Sequence, residues 1–551
     1  MPRAASGAAP TLEHLYPVAV QLGTTNIISA VGKFDPWPPK VWLDAPGIVF
    51  NAETNSGKFT VEIAANASVG THLIRVFNEQ GASGPRFLII TREPQGAEQE
   101  PNDDFSKPQP VDVNHLPVSI NGRLDKSGDV DSFAVALEAG QTLIASVEAY
   151  ILASPVDAVL RLVDSRGVQV ALNHDDGRTL DPLLAWTAKV AGTYVLQVFG
   201  FAYPATADVN FTGGAACVYR LHLSREPYLS YTLPLGVQRG KRTLLRLFGW
   251  NLGANLGREI EFDGSSLSED QRQAVLEIPG IEKGLMVPAG DGVELNEKEP
   301  NDSASDAIRL ELPFAVTGCI DQVGDQDRFA FAARKGENLL LHVQSASLGF
   351  ALDALLKIED LTGKELAKSD DGGTADPVLE WTPGEDGTFV AAVGNVLNRG
   401  GPDLLYRLSI RRPPPALKAI VAENEMRIEP GKTNEIKVTV TRLHNWKSRL
   451  SVSARKLPAG LKLDRVEVAD KDSEISLKLV ASPDAKPFSG PIQVVVTEAE
   501  SGREHRAIAE LITSSVNNGV PNGFNKLVIE STEQLWLTVL PATVSKAASA
   551  K

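Results

Sequence analysis

Cysteine is nearly absent: Cys217 and Cys319 are the two in 551 residues. Two thiols cannot complete a structural zinc site and no C-x-x-C pair exists, so the spacing favours two separate buried thiols over one long-range disulfide. Positive charge is in deficit, with 54 Lys and Arg against 69 Asp and Glu and a net charge of −15. That balance argues against nucleic acid or anionic lipid as a main partner, because both need a basic footprint. No stretch approaches the ~18 uninterrupted apolar residues of a membrane span. Met1 to Pro10 carries one arginine and no apolar segment, so no export signal is visible there. Peptidase signatures are missing too: there is no His-Glu-x-x-His, no Gly-x-Ser-x-Gly and no Gly-Thr-Ser. The histidines are scattered, and His222 and His342 fall in strand patterns that suit packed or surface residues better than bases. The expectation is a protein without catalytic activity of its own.

What is present is apolar enough, at 43%, to build real cores, and long enough for roughly three to five domains. Glycine and proline, 46 and 35, make it rich in turns. An internal duplication dominates. Glu98-Gln-Glu100-Pro-Asn102-Asp103 returns as Glu297-Lys-Glu299-Pro-Asn301-Asp302. Gly128-Asp129-Val-Asp131-Ser-Phe133 returns as Gly324-Asp325-Gln-Asp327-Arg-Phe329, and Asp181-Pro-Leu-Leu-Ala-Trp186 as Asp376-Pro-Val-Leu-Glu-Trp381. Gly192-Thr-Tyr194 and Tyr219-Arg-Leu also recur, at Gly387 and Tyr406. The matches keep their order while the offset drifts from 199 at Glu100 to 195 at Trp186, as expected of a duplicated domain whose loops differ in length.

Each copy reads as antiparallel β-structure. Phe133, Val135 and Leu137 alternate onto one face, and Thr193–Phe199 and Leu339–Ser345 give further strands. Asp176-Gly177 and Asp371-Gly372 offer the left-handed residues a tight hairpin uses, a reading preferred over a second cation site at Asp175-Asp176 and Asp370-Asp371. Trp186 and Trp381 read as core residues, and Trp37 as part of a Pro-rich turn capping a sandwich. The fold class is therefore all-β, a string of tandem β-sandwich modules with little helix. The expected divisions are an immunoglobulin-like module over 1–93, with Gly57–Ile63 and Gly70–Phe77 as a strand pair, a first repeat over 94–226, and a smaller module over 227–293. A second repeat over 294–412, an immunoglobulin-like module over 413–541 behind the stiff Pro413-Pro-Pro415, and a frayed tail over 542–551 complete it. Leu233-Pro-Leu-Gly-Val-Gln echoes Tyr16-Pro-Val-Ala-Val-Gln, which suggests a second duplication, and Ser268–Leu276 is expected to form a short helix capped by Ser268.

The acids of each copy are the candidate site. Asp129 and Asp131, two apart on a strand, point the same way, and carboxylates so close repel unless a cation, a donor or a proton intervenes. A hard cation taking six to eight oxygens fits carboxylates plus an Asn carbonyl; calcium suits this better than magnesium, which retains more waters. The spacing is not that of an EF-hand. The alternative is a solvated acidic linker followed by an Asp-rich turn, and repetition of the acids in both copies favours the cation.

The Glu-x-Glu-Pro-Asn-Asp lead-in, the Gly-Asp-x-Asp-x-Phe strand and the closing Gly-Thr-Tyr/Phe and Tyr-Arg-Leu strands resemble bacterial pre-peptidase C-terminal domains, over roughly 94–226 and 294–412. The resemblance implies jelly-roll sandwiches like those found beside secreted peptidases, and one calcium ion per repeat where the lead-in meets the first strands. Carried over by motif, the ligands are Glu98, Glu100, Asn102, Asp103 and Asp129, with Asp125 at the margin; in the second copy they are Glu297, Glu299, Asn301, Asp302 and Asp325, with Asp321 at the margin. Asp131 and Asp327 are assigned to bracing the strand. The preceding segments resemble IPT/TIG-like immunoglobulin folds. The expected function is that of a non-catalytic, calcium-stabilised, exported, periplasmic or cell-surface protein that binds extracellular protein or polysaccharide. The alternative is the accessory, substrate-targeting region of a secreted peptidase.

Overall fold

Alternation writes the strands. In Asp131–Leu137 the residues Phe133, Val135 and Leu137 are 0–3% exposed, and in Glu474–Ala481 every second residue is buried. The computed structural model describes residues 8–202, 210–255, 257–269, 271–279, 281, 284–370, 376–444, 446–469, 471–514 and 526–542. Its strands assemble into successive pairs of facing sheets, each pair closing on its own apolar cluster. The chain is a multi-domain β protein of tandem sandwiches. No helix among the described residues is long and apolar enough to cross a membrane.

The two repeats have the same topology, strand for strand. In the first, one sheet runs Gln95–Ala97, Val118–Arg123, Val218–Ser224, Thr142–Glu148, Leu183–Thr187. The facing sheet runs Gln109–Pro110, Asp131–Leu137, Gly192–Ala202, Val156–Val163, Gln169–Asn173. In the second, the orders are Val293–Asn296, Phe314–Cys319, Leu405–Arg411, Leu339–Gln344, Val378–Trp381 and Ile308–Leu310, Gln326–Ala333, Gly387–Asn395, Ala354–Glu359, Glu365–Ser369. Trp186 packs edge-on to Tyr194 at 4.6 Å and Trp381 to Phe389 at 4.8 Å, at the margin of each core. Asp181 accepts from the backbone N–H groups of Ala149, Tyr150 and Ile151, and Asp376 from those of Ser345, Ala346 and Ser347. Each carboxylate pins a loop by taking up three backbone donors, one buried and two part-buried, that the strands leave unpaired.

Several expectations are corrected. The described residues of Ser268–Leu276 are not helical: Gln273–Leu276 is a strand, with Ala274 and Leu276 buried and Gln273 and Val275 exposed, a period of two. Lys58–Ile63 and Gly70–Asn78 are not partners but lie in opposite sheets of the first sandwich. Gly177 does adopt φ +64, yet the strands on either side, Gln169–Asn173 and Leu183–Thr187, belong to opposite sheets, so Asp176-Gly177 turns an arch between sheets and not a hairpin. Asp371-Gly372 and the tail beyond 542 lie outside the described residues. Trp37 covers the first core, its Nε1 donating to Glu53 O at 2.8 Å and its ring 5.1 Å from Phe59. Cys217 is a buried free thiol; Cys319 is free and half-buried, donating to Gly401 O.

The modules are not independent beads. Trp536 of the last sandwich is 1% exposed because it packs against Trp42 and Phe77 of the first, while Arg75 donates to Asn424 Oδ1 at 2.9 Å. Tyr16 and Asn121 join the first sandwich to the first repeat: the Tyr16 hydroxyl donates to Asn121 O, and Asn121 Oδ1 accepts from Val18 N and Ala19 N. Glu93, at the exit of the first sandwich, is buried against the first repeat and accepts from Arg220 at 2.7 Å, Ser119 at 2.6 Å and the His222 ring at 2.9 Å. Burial alone would raise its pKa, but these donors and the arginine charge bring it down to about 2. A depressed carboxylate adds stability above its unfolded pKa and loses it as pH falls through the folded one. Glu93→Gln should therefore cost on the order of 3 kcal/mol at pH 7, with the difference from wild type shrinking between pH 4.5 and 2. Urea unfolding of both chains across that range measures it.

Candidate metal centres in the two repeats

The lead-in of each repeat begins as a strand lying parallel to its neighbour and then leaves the sheet. Glu98 N donates to Asn121 O at 3.0 Å, and Glu297 N to Thr317 O at 2.9 Å. This registers Glu98 and Glu297 opposite a glycine, Gly122 or Gly318, whose own cross-strand partner is a fully buried tyrosine, Tyr219 or Tyr406. The tyrosine crosses to the facing sheet. Tyr219 Oη donates to Asp131 Oδ2 at 2.5 Å and lies 3.2 Å from Glu98 Oε2; Tyr406 Oη donates to Asp327 Oδ2 at 2.6 Å and lies 3.3 Å from Glu297 Oε2. One hydroxyl proton cannot satisfy two carboxylates, so the second must carry a proton of its own or face a cation.

The chain then turns and presents its remaining acids. Glu100 Oε2 accepts from Asn102 N, and Glu299 Oε2 from Asn301 N, each at 3.0 Å. Asn102 O accepts from Ser132 N and Asn301 O from Arg328 N, which fixes each asparagine beside the strand that carries Asp131 or Asp327. Asp129 Oδ2 accepts from Asp125 N at 2.5 Å and Asp325 Oδ2 from Asp321 N at 2.9 Å. One oxygen from each of Glu100, Asp129 and Asp131 lies within 4.8 Å of the others, as does one from each of Glu297, Glu299 and Asp327.

Burial pushes these acids up, and their mutual repulsion adds to it: Asp131 and Asp327 to about 10, Glu98 and Glu297 to about 7, Asp129 and Asp325 to about 6. Several donors and acceptors have nothing to bond. Asp131 Oδ1, Asp327 Oδ1 and both polar atoms of the Asn102 and Asn301 amides are buried without a hydrogen-bond partner. An unpaired buried amide or carboxylate oxygen costs about 1–3 kcal/mol, and here the same set is left open in both repeats.

The structure brings Glu98, Glu100, Asn102 and Asp129 together in the first repeat and Glu297, Glu299, Asn301 and Asp325 in the second. Asp125 turns away to the Arg123 guanidinium; Asp103 binds the Lys126 ammonium at 2.9 Å and lies against the Asp129 carboxyl, as Asp302 lies against that of Asp325, while Asp321 is exposed. Asp131 and Asp327 do more than brace a strand, for each leaves an oxygen free toward the cluster. The bridging tyrosines and the glycines beneath them were also missed, although Tyr-Arg-Leu recurs in the sequence. A Cβ on Gly122 would lie 2.1 Å from Tyr219 Cζ, and one on Gly318 2.3 Å from Tyr406 Oη and 2.4 Å from Glu297 Oε2.

The repeats differ in charge around the site, and one difference falls on the acids themselves. Lys126 Nζ lies 2.9 Å from Asp103 and 3.4 Å from Asp129, and Gln322 holds the matching place in the second copy. A further group, Asp157, His174 and Asp175, also gathers within 4.8 Å, with His174 Nε2 3.2 Å from Asp157 Oδ2. It is half-exposed and unduplicated, since Ser369 replaces the histidine.

No family model matches the chain. A probable subtilase-type serine protease of Deinococcus radiodurans is 26% identical over 217 residues, covering 37% of this chain and 29% of that protein. The match thus spans less than a third of that relative's length. Among solved structures, the N-terminal eight Ig domains of Down Syndrome Cell Adhesion Molecule align over 92% of this chain and 73% of theirs, at 10% identity and a TM-score of 0.13. That score carries no argument; the sandwich class rests on the sheets themselves.

Proposed function

We propose that this chain is a non-catalytic, multi-module binding region of an exported or cell-surface protein, with two modules of pre-peptidase C-terminal type each braced by one calcium ion. The observation that carries the reading is the duplicated constellation of tyrosine-bridged carboxylates and an unpaired buried asparagine. Glu98, Glu100, Asn102, Asp129 and Asp131 would hold the ion in the first repeat, and Glu297, Glu299, Asn301, Asp325 and Asp327 in the second. All offer hard oxygen donors, which calcium takes and softer metals do not prefer. A bound calcium ion supplies positive charge between the carboxylates. The chain's own residues then do the structural work: Tyr219 and Tyr406 tie one sheet to the other, and Glu98 and Glu297 anchor the lead-in.

The first copy already has a partial substitute in Lys126. Lys126→Gln should therefore make the first repeat as calcium-dependent as the second, measured as the calcium-induced shift in hydrogen-exchange protection of Asp131–Leu137 against that of Gln326–Ala333. An unchanged shift means that the ammonium does not share the site.

The relative among subtilase-type proteases favours a second reading, in which these modules accompany a catalytic domain and target it to substrate. Joining the chain to a subtilisin-like catalytic domain should then raise hydrolysis of an insoluble protein without altering that of a short peptide. Equal rates on both with and without the chain would set this reading aside.

A further inference from the structure

Between the small third sandwich and the second repeat lies a cavity of about 620 Å³. One wall is formed by Val275, Met286 and Pro288, of which Val275 and Met286 are half-exposed; the other carries Gln344, Arg407 and Arg411. In a chain of net charge −15 this place is basic. Four guanidinium groups, those of Arg239, Arg272, Arg407 and Arg411, meet two carboxylates. Asp291 serves both Arg239 and Arg272, the latter at 3.6 Å, and Glu294 accepts from Arg407 through both oxygens. Arg411 has no ion pair among the described residues, and its Nη1 is buried without a hydrogen-bond partner. Burial lowers the Arg411 pKa, and the Arg272, Arg239 and Arg407 charges add to the effect, partly offset by Asp291.

The first repeat supplies an internal control. The pairings Glu148↔Arg220 and Ile144↔Ser224 correspond to Gln344↔Arg407 and Leu340↔Arg411. Arg220 is neutralised there by both Glu93 and Glu148. In the second repeat Gln344 stands in place of the glutamate and Arg411 in place of the serine, so one change at a matched position removes a negative charge from the groove and the other adds a positive one. The same strands pair in the same register in the first repeat with Glu148 and Ser224 in these places, so the register requires neither change. A guanidinium with free N–H groups beside an apolar wall matches a carboxylate carried on a ring, whose C–H face would lie on Met286 and Pro288.

We propose that this groove binds an acidic sugar, its carboxylate held by Arg411 and its ring laid against the Val275–Met286–Pro288 wall. The site is separate from the carboxylate clusters and does not depend on calcium. The test is calorimetry on the full chain at low salt with EDTA present, using an oligogalacturonate, sodium acetate and sodium sulfate as bare anions, and a neutral maltooligosaccharide. The expected result is saturable one-to-one binding of the oligogalacturonate, at least tenfold tighter than acetate or sulfate, with none of the neutral sugar. Arg411→Ser and Gln344→Glu, which restore the first repeat's residues, should each weaken it at least tenfold, whereas Ser224→Ala should leave it unchanged. Absence of saturable binding overturns the proposal. So does equal affinity for the bare anions, which would mean a simple anion site, or binding that survives both substitutions. Because EDTA is present throughout, failure here would leave the calcium reading standing, and loss of calcium binding would leave this one standing.

Discussion

Calcium at a hundredfold excess over its dissociation constant should stabilise each repeat by about 2.7 kcal/mol, and EDTA should reverse it. The gain arises because the folded state gathers at least three carboxylate oxygens within 4.8 Å while an unfolded lead-in does not. Magnesium at the same concentration should give less, since it keeps its waters and asks for a tighter octahedron. Proteolysis should show the effect locally: residues 98–103 and 297–302 supply three of the five proposed ligands of each repeat, so chelation should open these two segments to cleavage before any core strand. Cleavage that is unchanged by EDTA would argue that the acids are merely solvated.

Gly122→Ala is the substitution expected to cost most for its size. The added methyl would sit 2.1 Å from Tyr219 Cζ, against a ring that is fully buried and fixed at its hydroxyl by Asp131. The ring cannot swing aside without breaking the bridge between sheets, so about 3 kcal/mol is expected, at the upper end of ordinary overpacking. Gly192→Ala is the control: it lies in the same repeat, its Cβ meets nothing within 4 Å, and it should shift stability by less than about 0.5 kcal/mol. Scanning calorimetry of both chains measures the contrast. A small effect at Gly122 would mean that the tyrosine is not held where the structure places it.

Much of the architecture was legible because the duplication marks its own boundaries and because alternation along strands such as Asp131–Leu137 is strict. The fault at Ser268–Leu276 arose where polar residues surround a four-residue strand: a run so short leaves helical and extended spacing equally plausible, and pairing with Leu285–Gly290 decides the matter. The Asp176-Gly177 turn was legible as a left-handed residue but not as an arch, because the sheet to which the next strand belongs is a property of tertiary packing. At the site, recurrence found Glu98, Glu100, Asn102 and Asp129 and their copies. It could not separate these from Asp125 and Asp321, which recur equally well, the first turned to Arg123 and the second exposed. Tyr219 and Tyr406 escaped because their partners lie 88 and 79 residues away, on a different sheet. The contact between Trp536 and the first sandwich had no sequence signal at all.

The most direct test is the number of calcium ions bound by the full chain, titrated by calorimetry beside the Asp131→Asn and Asp327→Asn single variants and the double variant. Two ions for the wild type, one for each single variant and none for the double is the predicted series. A wild type that binds none, or a double variant that still binds two, would contradict it.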